Sequence, residues 1–313
     1  MVKQVLFKIS MLILPLVIFF SFAEIILNKY PTSYSKIKNN FTKCEPKIDI
    51  IFIGASESQL GIAPKYISSF SSFNLSNSSQ TIYNSCKLIE SNLTKLPKLK
   101  TVVLSIGPLM LKSSYSKNIE KWREKFYYHY WHIIPESGEY SFTWKFKCGI
   151  YDVRTIVQSV FMRNKFEKSL SNIHKIDSLG WEYGEDDANE SLVNSGMGKE
   201  TVKIHLTETD LHNNSNEKYI KNLYTLLKQY GIKLILIQPP TSQYYYNSIP
   251  SVILDSNIIA LNRLITEDKI LFYNFQSDST FTNNDFRDVN HLNFIGAKKL
   301  SLKINEILKS NIK

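Results

Sequence analysis

The sequence predicts an α/β fold in which a doubly wound, parallel sheet carries helices on both faces. Apolar, β-favouring runs recur along the chain, at residues 48–54, 72–76 (the weakest), 101–106, 233–238 and 270–275. The stronger runs are continuous rather than alternating, which is typical of strands that are covered on both faces. Helical patterns lie between the runs, and right-handed crossovers between parallel strands then fix most of the topology.

Three segments carry apolar residues at the spacing of one helix face. The first has Ile82, Cys86, Ile89 and Leu93, the second Ile220, Leu223, Tyr224 and Leu227, and the third Ala297, Leu300, Ile304, Ile307 and Leu308. Gly231 ends the second pattern just before the 233–238 strand. Each predicted helix therefore has one apolar side with which to cover the sheet.

The N-terminus contains a hydrophobic segment. Lys3 and Lys8 precede a nearly unbroken apolar run at 9–27, which Glu24 interrupts. About 20 apolar residues span a bilayer as a helix, and positive residues ahead of them favour translocation of the chain that follows. Small residues at 21–23 also allow a cleaved signal peptide, but the apolar run continues past them and favours an uncleaved anchor at 1–28. Glu24 either marks a partner helix or reaches the membrane interface.

Behind the anchor, a polar and basic stretch at 29–47 is interpreted as a tether, and one α/β domain is predicted at 48–313. The alternation of strands and helices is interrupted at about 112–212. The first part of this segment is basic and aromatic, and a later part is acidic and polar. We interpret it as an insertion, part helix and part loop, that serves as a lid or a partner surface over the functional edge of the sheet.

Composition narrows the class of partner. The 313 residues are 43% hydrophobic and carry a formal net charge of +10, which suits one substantial core. Lys and Arg are dispersed and no nucleic-acid motif appears, so we expect no nucleic-acid partner and favour an anionic lipid or acidic glycan surface. The three cysteines match no metal-ligand spacing, and neither a metal nor a cofactor is predicted.

The stretch at 48–62 ends a buried strand in a small, flexible corner. Ser56 lies two residues beyond the predicted strand end, at the edge where doubly wound sheets bind ligands. Gly54 and Ala55 allow the close backbone approach that an oxyanion pocket needs. A serine after a strand is also a common turn residue or helix cap, so Ser56 needs a base elsewhere in the chain. Ser58 is an alternative nucleophile further into the next element.

A second polar group follows the last predicted strand. Asp288 and His291 are three residues apart, and no other histidine has a carboxylate three residues ahead of it. A carboxylate fixes the tautomer of an imidazole and stabilises its charged form during proton transfer. Because the first and last strand ends meet at one edge of the sheet, we expect Ser56, Asp288 and His291 to lie together.

These motifs resemble the SGNH or GDSL-type hydrolases. The phrases IFIGASESQLGIAP and DVNHLNFIGAKKLS are similar to its membrane-anchored bacterial branch, which includes alginate O-acetylation proteins and the D-alanyl transfer protein of teichoic acid synthesis. GIKLILIQPP resembles the phrase that precedes the closing motif in that branch. The resemblance covers about 48–110 and 215–310, and it implies a three-layer α/β/α, flavodoxin-like fold.

The resemblance also implies roles for individual residues. Ser56 would be the nucleophile, His291 the general base and Asp288 its orienting carboxylate. An acyl-enzyme would form on Ser56 and pass its acyl group to water or to a sugar hydroxyl. The oxyanion would be met by the backbone N–H groups of Ser56 and Ser79.

Three positions depart from the family pattern. Ala55 replaces the aspartate before the serine, and no counterpart of the third-block asparagine is found near Gly107. Ser79 replaces the second-block glycine, and its Cβ disfavours the same backbone angle. Losing one oxyanion donor costs about 2.7–4 kcal/mol of transition-state stabilisation. A side-chain donor such as Asn77 or Gln80 would then have to contribute.

Other polar residues have weaker claims to a site. His129 and His132 are two candidate metal ligands without a third, and the acidic cluster at 185–187 lacks the ligand spacing of a calcium loop. Tyr244 and Tyr245 follow the 233–238 strand. They either stack on sugar rings or form the half-buried part of a rigid loop.

The chain is predicted to be a single-pass protein of the cytoplasmic membrane, with its catalytic domain on the extracytoplasmic side. It would remove or transfer a small acyl group, with acetyl as the first candidate, on a surface polysaccharide, and a membrane acyl-transfer protein is a further candidate partner. The alternative is a catalytically silent binding or scaffold protein in a polysaccharide assembly complex, which the missing oxyanion donors favour. A dinucleotide-binding enzyme is disfavoured because no Gly-x-Gly-x-x-Gly follows the first strand.

Overall fold

A computed structural model describes residues 2–113, 119–162, 176–183, 192–207 and 209–312. Its strands are β1 Ile50–Ile53, β2 Ser72–Asn74, β3 Thr101–Ser105, β4 Lys233–Gln238 and β5 Leu271–Asn274. They form one sheet in the order β2-β1-β3-β4-β5, and every neighbouring pair is parallel. This is the flavodoxin-like order, which places the switch point between β1 and β3. The predicted fold class is confirmed, and each strand lies within the run that predicted it.

Helices fill most of the remaining described chain. The α-helices are α1 Val2–Lys29, α2 Ser33–Cys44, α3 Ser56–Gly61, α4 Ile82–Asn92, α5 Glu124–Trp131, α6 Lys147–Ile150, α7 Val153–Phe161, α8 Ser195–Leu206, α9 Ser215–Gln229, α10 Gln243–Tyr246, α11 Ser251–Thr266 and α12 Phe294–Asn311. Short 3-10 helices occupy Glu45–Lys47, Pro64–Tyr66, Leu93–Lys95, Met110–Lys112, Ile119–Arg123, Phe142–Lys145 and Asn283–Asp285.

The chain divides into two compact units. The N-terminal unit comprises Met1–Ser35 and Arg123–His174, and the sheet unit comprises Lys36–Trp122 and Lys175–Lys313. The part of the predicted insertion that joins the N-terminal unit is therefore confined to 123–174.

In the sheet unit, alternate strand residues face opposite sides of the sheet and both sides are buried. On one side, Phe52 and Val103 share a core cluster with Leu300 and Ile304 of α12. Ile51 and other residues that alternate with this set are equally buried. On the other side, α4 packs against α9 and α9 against β4. Helices on both faces explain why the strands are continuous apolar runs.

The segment at 29–47 contains a helix that the sequence did not predict. Within the sheet unit, Ile37 and Phe41 of α2 are buried. The rings of Phe41 and of Phe73 from β2 pack edge to face, with their centroids 5.5 Å apart. These two apolar residues lie one helical turn apart in an otherwise polar and basic sequence, so the periodic signal is short.

In the N-terminal unit, α1 is long and apolar enough to cross a membrane, a test that a signal sequence also passes. The end of α1 packs on α7, where Ala23 and Leu27 share a core cluster with Ile156. The Glu24 carboxylate accepts hydrogen bonds from the backbone N–H groups of Lys147 and Cys148, at 3.0 and 2.8 Å.

Candidate active site

The corner after β1 holds Ser56 at the start of a helix. β1 ends at Ile53, and Ser56 is the first residue of α3. Gly54 has a φ of +153°, and a Cβ there would lie 2.8 Å from the Cβ of Ser105 on β3. Only glycine fits this angle and this space, so the chain can turn sharply at the carboxyl edge of the sheet. The first N–H groups of a helix have no carbonyl partner within it, and the N–H of Ser56 is one of these groups at the carboxyl edge of the sheet.

The Ser56 hydroxyl contacts the imidazole from the other end of the chain. Ser56 Oγ lies 2.7 Å from His291 Nε2. His291 Nδ1 lies 2.9 Å from both carboxylate oxygens of Asp288. When Nδ1–H is donated to Asp288, Nε2 is left as the acceptor for the Ser56 hydroxyl proton. The structure thus brings the three predicted residues into one hydrogen-bonded chain.

A tight loop before α12 fixes the imidazole. Asp288 Oδ1 accepts the backbone N–H groups of Asn290 and His291, at 3.1 and 2.8 Å, so the carboxylate holds the loop as well as the ring. The Asn293 N–H donates to the Asp285 carbonyl at 2.9 Å and closes the loop. A Cβ on Gly296 would lie 2.2 Å from that carbonyl oxygen. The motif therefore needs glycine at Gly296 because the first turn of α12 lies directly against the loop.

Electrostatics at the site favour an imidazole that accepts a proton. Burial lowers the pKa of His291. The hydrogen bond to Asp288, the charge of Asp288 and the charge of Glu57 together outweigh this effect, so the pKa of His291 is raised above its ordinary value. Burial raises the pKa of Asp288, but its hydrogen bond to His291 outweighs this and leaves the pKa lowered. The pair is thus arranged to keep Asp288 ionised while His291 takes up a proton.

A small cavity of about 180 Å³ opens beside Ser56. Its lining includes Ser56, Glu57, Ser79, Gln80, Thr81, Gly107, Ser113, His205 and Tyr245. Sites for drug-sized ligands commonly occupy about 300–1,000 Å³. The cavity therefore suits a small group attached to a larger molecule that remains outside it.

Ser79 adopts the backbone conformation that glycine would supply. Its φ is +52°, in the left-handed region, despite its Cβ. The turn that holds it is closed by the Gln80 N–H, which donates to the Asn77 carbonyl at 3.0 Å. Ser79 therefore takes the left-handed angle, although its Cβ disfavours it. The conformation costs about 1–2 kcal/mol for a residue with a Cβ.

The side chains predicted to contribute to the oxyanion pocket or to substrate binding differ in whether they line the cavity. Gln80 lines the cavity, and its amide donates to Ser85 Oγ at 3.0 Å. Asn77 is buried, and its side-chain Oδ1 accepts a hydrogen bond from the Ser78 N–H. Tyr245 lines the cavity, whereas Tyr244 is partly exposed outside the set of lining residues.

The other sequence candidates lie away from the cavity or outside the described residues. Ser58 is fully buried, and its hydroxyl accepts a hydrogen bond from Ser76, so it does not face the cavity. In the N-terminal unit, His129 Nδ1 lies 3.0 Å from the Trp144 carbonyl oxygen. The acidic cluster at 185–187 lies outside the described residues. Within the described ranges, no group of three or more candidate metal ligands occurs.

Two ionisable residues at the cavity, Glu57 and His205, were not among the predicted site residues. The Glu57 carboxylate approaches Gly107, since a Cβ there would lie 3.2 Å from Glu57 Oε1. His205 comes from α8, and its Nδ1 lies 2.7 Å from the Tyr245 hydroxyl. Burial lowers the pKa of His205, and the nearby His291 adds to this against the opposing charge of Glu57. A second imidazole, whose lowered pKa favours its neutral form, therefore faces the cavity.

Comparisons with known proteins find remote likenesses among solved structures. No protein family model matches the chain, and no curated protein matches it. Among solved structures, it is similar to a presumed acylhydrolase from Bacteroides fragilis NCTC 9343, at 13% identity and a TM-score of 0.42, over 87% of this chain and 94% of that one. It is also similar to a GDSL-like lipase from Bacteroides thetaiotaomicron VPI-5482, at 12% identity and a TM-score of 0.40, over 86% and 91%. Likenesses this remote do not decide the family or the activity.

Proposed function

We propose that this protein is a serine esterase or O-acyltransferase that uses Ser56, His291 and Asp288. The observation that supports this most directly is the hydrogen-bonded chain from Ser56 Oγ to His291 Nε2, at 2.7 Å, and from His291 Nδ1 to Asp288, at 2.9 Å. These distances lie within the reach that nucleophile, base and orienting group require. The raised pKa of His291 and the small cavity beside Ser56 are consistent with the same chemistry.

In the proposed reaction, Ser56 Oγ attacks an ester carbonyl carbon while His291 Nε2 takes the hydroxyl proton. The resulting tetrahedral oxyanion is met by the backbone N–H of Ser56, with the Ser79 N–H as the second proposed donor. Collapse breaks the ester bond, and His291 returns the proton to the departing alcohol. Water or a sugar hydroxyl then attacks the acyl-enzyme with His291 again as base, and Ser56 is released with its proton.

The proposed substrate is a small acyl group, acetyl first, on a surface polysaccharide. A cavity of about 180 Å³ suits such a group and leaves the glycan outside. The proposed location is the cytoplasmic membrane with the sheet unit on the extracytoplasmic side, for which α1 is the supporting feature. A membrane acyl-transfer protein that supplies the acyl group is a further proposed partner.

A fluorophosphonate probe tests the nucleophile. We expect the purified chain to be labelled on Ser56, Ser56→Ala to abolish labelling, and His291→Ala to slow it strongly. Ser113→Ala is the matched control, because Ser113 lines the same cavity and its hydroxyl bonds the Leu109 carbonyl rather than an imidazole. Labelling of Ser56→Ala at the wild-type rate would rule out the assignment.

The second candidate is a catalytically silent binding or scaffold protein. It is favoured by Gly107, which offers no side-chain donor to an oxyanion, and by the Glu57 carboxylate beside it, which repels negative charge. Turnover of p-nitrophenyl acetate separates the two functions. Turnover that is lost in His291→Ala supports the enzyme, and unchanged background hydrolysis in both chains supports the scaffold.

A further inference from the structure

α7 has a broad apolar face that α1 only partly covers. At about 100° per residue, five apolar side chains fall within an arc of about 140°, and they are Val153, Ile156, Val157, Val160 and Phe161. Ile156 and Val160 pack into the cluster that contains Ala23 and Leu27 of α1. The other three remain open, with Val153 70%, Val157 38% and Phe161 72% exposed. Such exposure is unusual for a short helix on a water-facing surface.

The open face of α7 continues the apolar surface of α1. The Phe161 ring stacks on Phe19 of α1, with centroids 6.0 Å apart and planes 14° from parallel. The neighbouring Phe20 and Phe22 of α1 are themselves exposed. The exposed apolar surface of α1 is therefore continuous with that of the end of α7, and both suit the same nonpolar environment.

The depth of this contact can be estimated from helix geometry. The 28 residues of α1 span about 42 Å at 1.5 Å per residue, which matches a bilayer with its headgroups. Phe19 precedes Lys29 by ten residues, or about 15 Å, and about 6 Å of that belongs to the headgroup layer. Phe161 is then about 9 Å inside the hydrocarbon. Interfacial helices commonly bury their apolar face to about 5–10 Å.

Polar contacts hold α6, which precedes α7, against the end of α1. The Lys147 ammonium donates to the carbonyls of Leu27 and Tyr30, at 2.8 and 2.9 Å, and so satisfies acceptors at the end of α1. The two N–H groups that reach Glu24 satisfy its carboxylate within the same unit. Glu24 therefore needs no partner helix from another protein.

The one charged residue of α7, Arg154, lies in its first turn, and its other polar residues are Thr155, Gln158 and Ser159. Arg154 is exposed, and the Thr155 hydroxyl and N–H both bond Asp152. After Ser159, whose hydroxyl bonds the Ile156 carbonyl, the helix contains only Val160 and Phe161. The charged first turn matches the headgroup layer, and the last two residues, Val160 and Phe161, match the acyl chains.

We infer that α7 is a membrane-embedded helix. It lies in the leaflet that holds the C-terminal half of α1, with Val153, Val157 and Phe161 against lipid acyl chains. Because Phe19 lies before the small residues at 21–23, this packing also requires that α1 be retained rather than cleaved. The partner of the exposed face is lipid.

The first test uses the wild-type full chain in phosphatidylcholine–phosphatidylglycerol vesicles. A photoactivated diazirine carried on a lipid acyl chain should label α1 and the tryptic fragment 155–163, which contains the end of α7. Label on α1 without label on that fragment would overturn the inference. An intact mass that lacks residues 1–23 would overturn it as well.

The second test measures depth with single nitroxide labels in a chain without its three native cysteines. Val157→Cys should show an oxygen-to-nickel-chelate collision ratio several-fold above that of Thr155→Cys, the matched control on the opposite, polar face of α7. Equal ratios would place both sites in water and contradict the inference. If the cysteine-free chain does not fold, the labelling of fragment 155–163 in the wild-type chain tests by itself whether α7 is embedded in the membrane. Neither readout depends on catalysis, so the result is independent of the proposed esterase activity.

Discussion

Asp288→Asn would remove one charge from the site while keeping the loop around it. The asparagine Oδ1 can still accept the N–H groups of Asn290 and His291, which Asp288 bonds at 3.1 and 2.8 Å. Its amide, however, would donate to His291 Nδ1 and move the ring proton to Nε2. The Ser56 hydroxyl, 2.7 Å from Nε2, would then lose its proton acceptor.

The expected loss follows from the wrong tautomer. The corresponding change in a Ser-His-Asp enzyme lowers kcat about 10⁴-fold, or about 5.4 kcal/mol at 1.36 kcal/mol per factor of ten. The pH profile should change as well, because Asp288 is the main group that raises the pKa of His291. Under the proposed mechanism activity needs neutral His291, so the acid limb of the wild-type profile should lie above the ordinary histidine value of about 6.5. In Asp288→Asn the limb should move to lower pH.

The assay is kcat/KM for p-nitrophenyl acetate between acid and alkaline pH, with circular dichroism as a check on folding. Asp278→Asn is the matched control, because Asp278 pairs with Lys303 at 2.8 Å away from the cavity and should leave kcat/KM unchanged. An Asp288→Asn chain that is folded and within tenfold of wild type would refute the role of the carboxylate.

Three further changes test neighbouring features. Ser79→Gly should raise the free energy of unfolding by about 0.5–1 kcal/mol, since it relieves the left-handed strain and loses part of that gain to backbone entropy; a lower urea midpoint would contradict this. Glu57→Gln removes a charge that raises the pKa of His291, so the acid limb of kcat/KM should move to lower pH, and a shift to higher pH would count against the electrostatic role of Glu57. Gly296→Ala places a Cβ 2.2 Å from the Asp285 carbonyl oxygen, so we expect the free energy of unfolding, measured by chemical denaturation, to fall by about 1–3 kcal/mol. An unchanged free energy of unfolding would contradict this and would show that the loop can move away from the added Cβ.

The sheet and the Ser56–His291 pairing were predictable because their signals are local. Continuous apolar runs mark buried strands, and parallel topology places their carboxyl ends at one edge. Ser56 follows the first strand, whereas Asp288 and His291 follow the last. Knowing the sheet was therefore enough to expect them at the same edge.

Other features depend on tertiary contacts that no local pattern records. α11 at Ser251–Thr266 was not predicted, because exposed Val252, Ile258 and Ile259 blur the apolar period that its buried residues form. His205 enters the site only because α8 packs on α10, where a Cβ on Gly198 would lie 2.3 Å from the Tyr244 carbonyl oxygen. No local sequence pattern predicts that α8 or α10 lies beside the carboxyl edge of the sheet.

The bonds to Glu24 also set an order of events during synthesis. The Lys147 N–H that Glu24 accepts lies 123 residues later in the chain, so at about 5–20 residues per second the ribosome needs about 6–25 s to deliver it. Until then the carboxylate of the first helix lacks its two amide donors, and the helix end lacks the ammonium that covers its carbonyls. A nascent chain stopped before Lys147 should therefore hold this helix less firmly than one that has passed it.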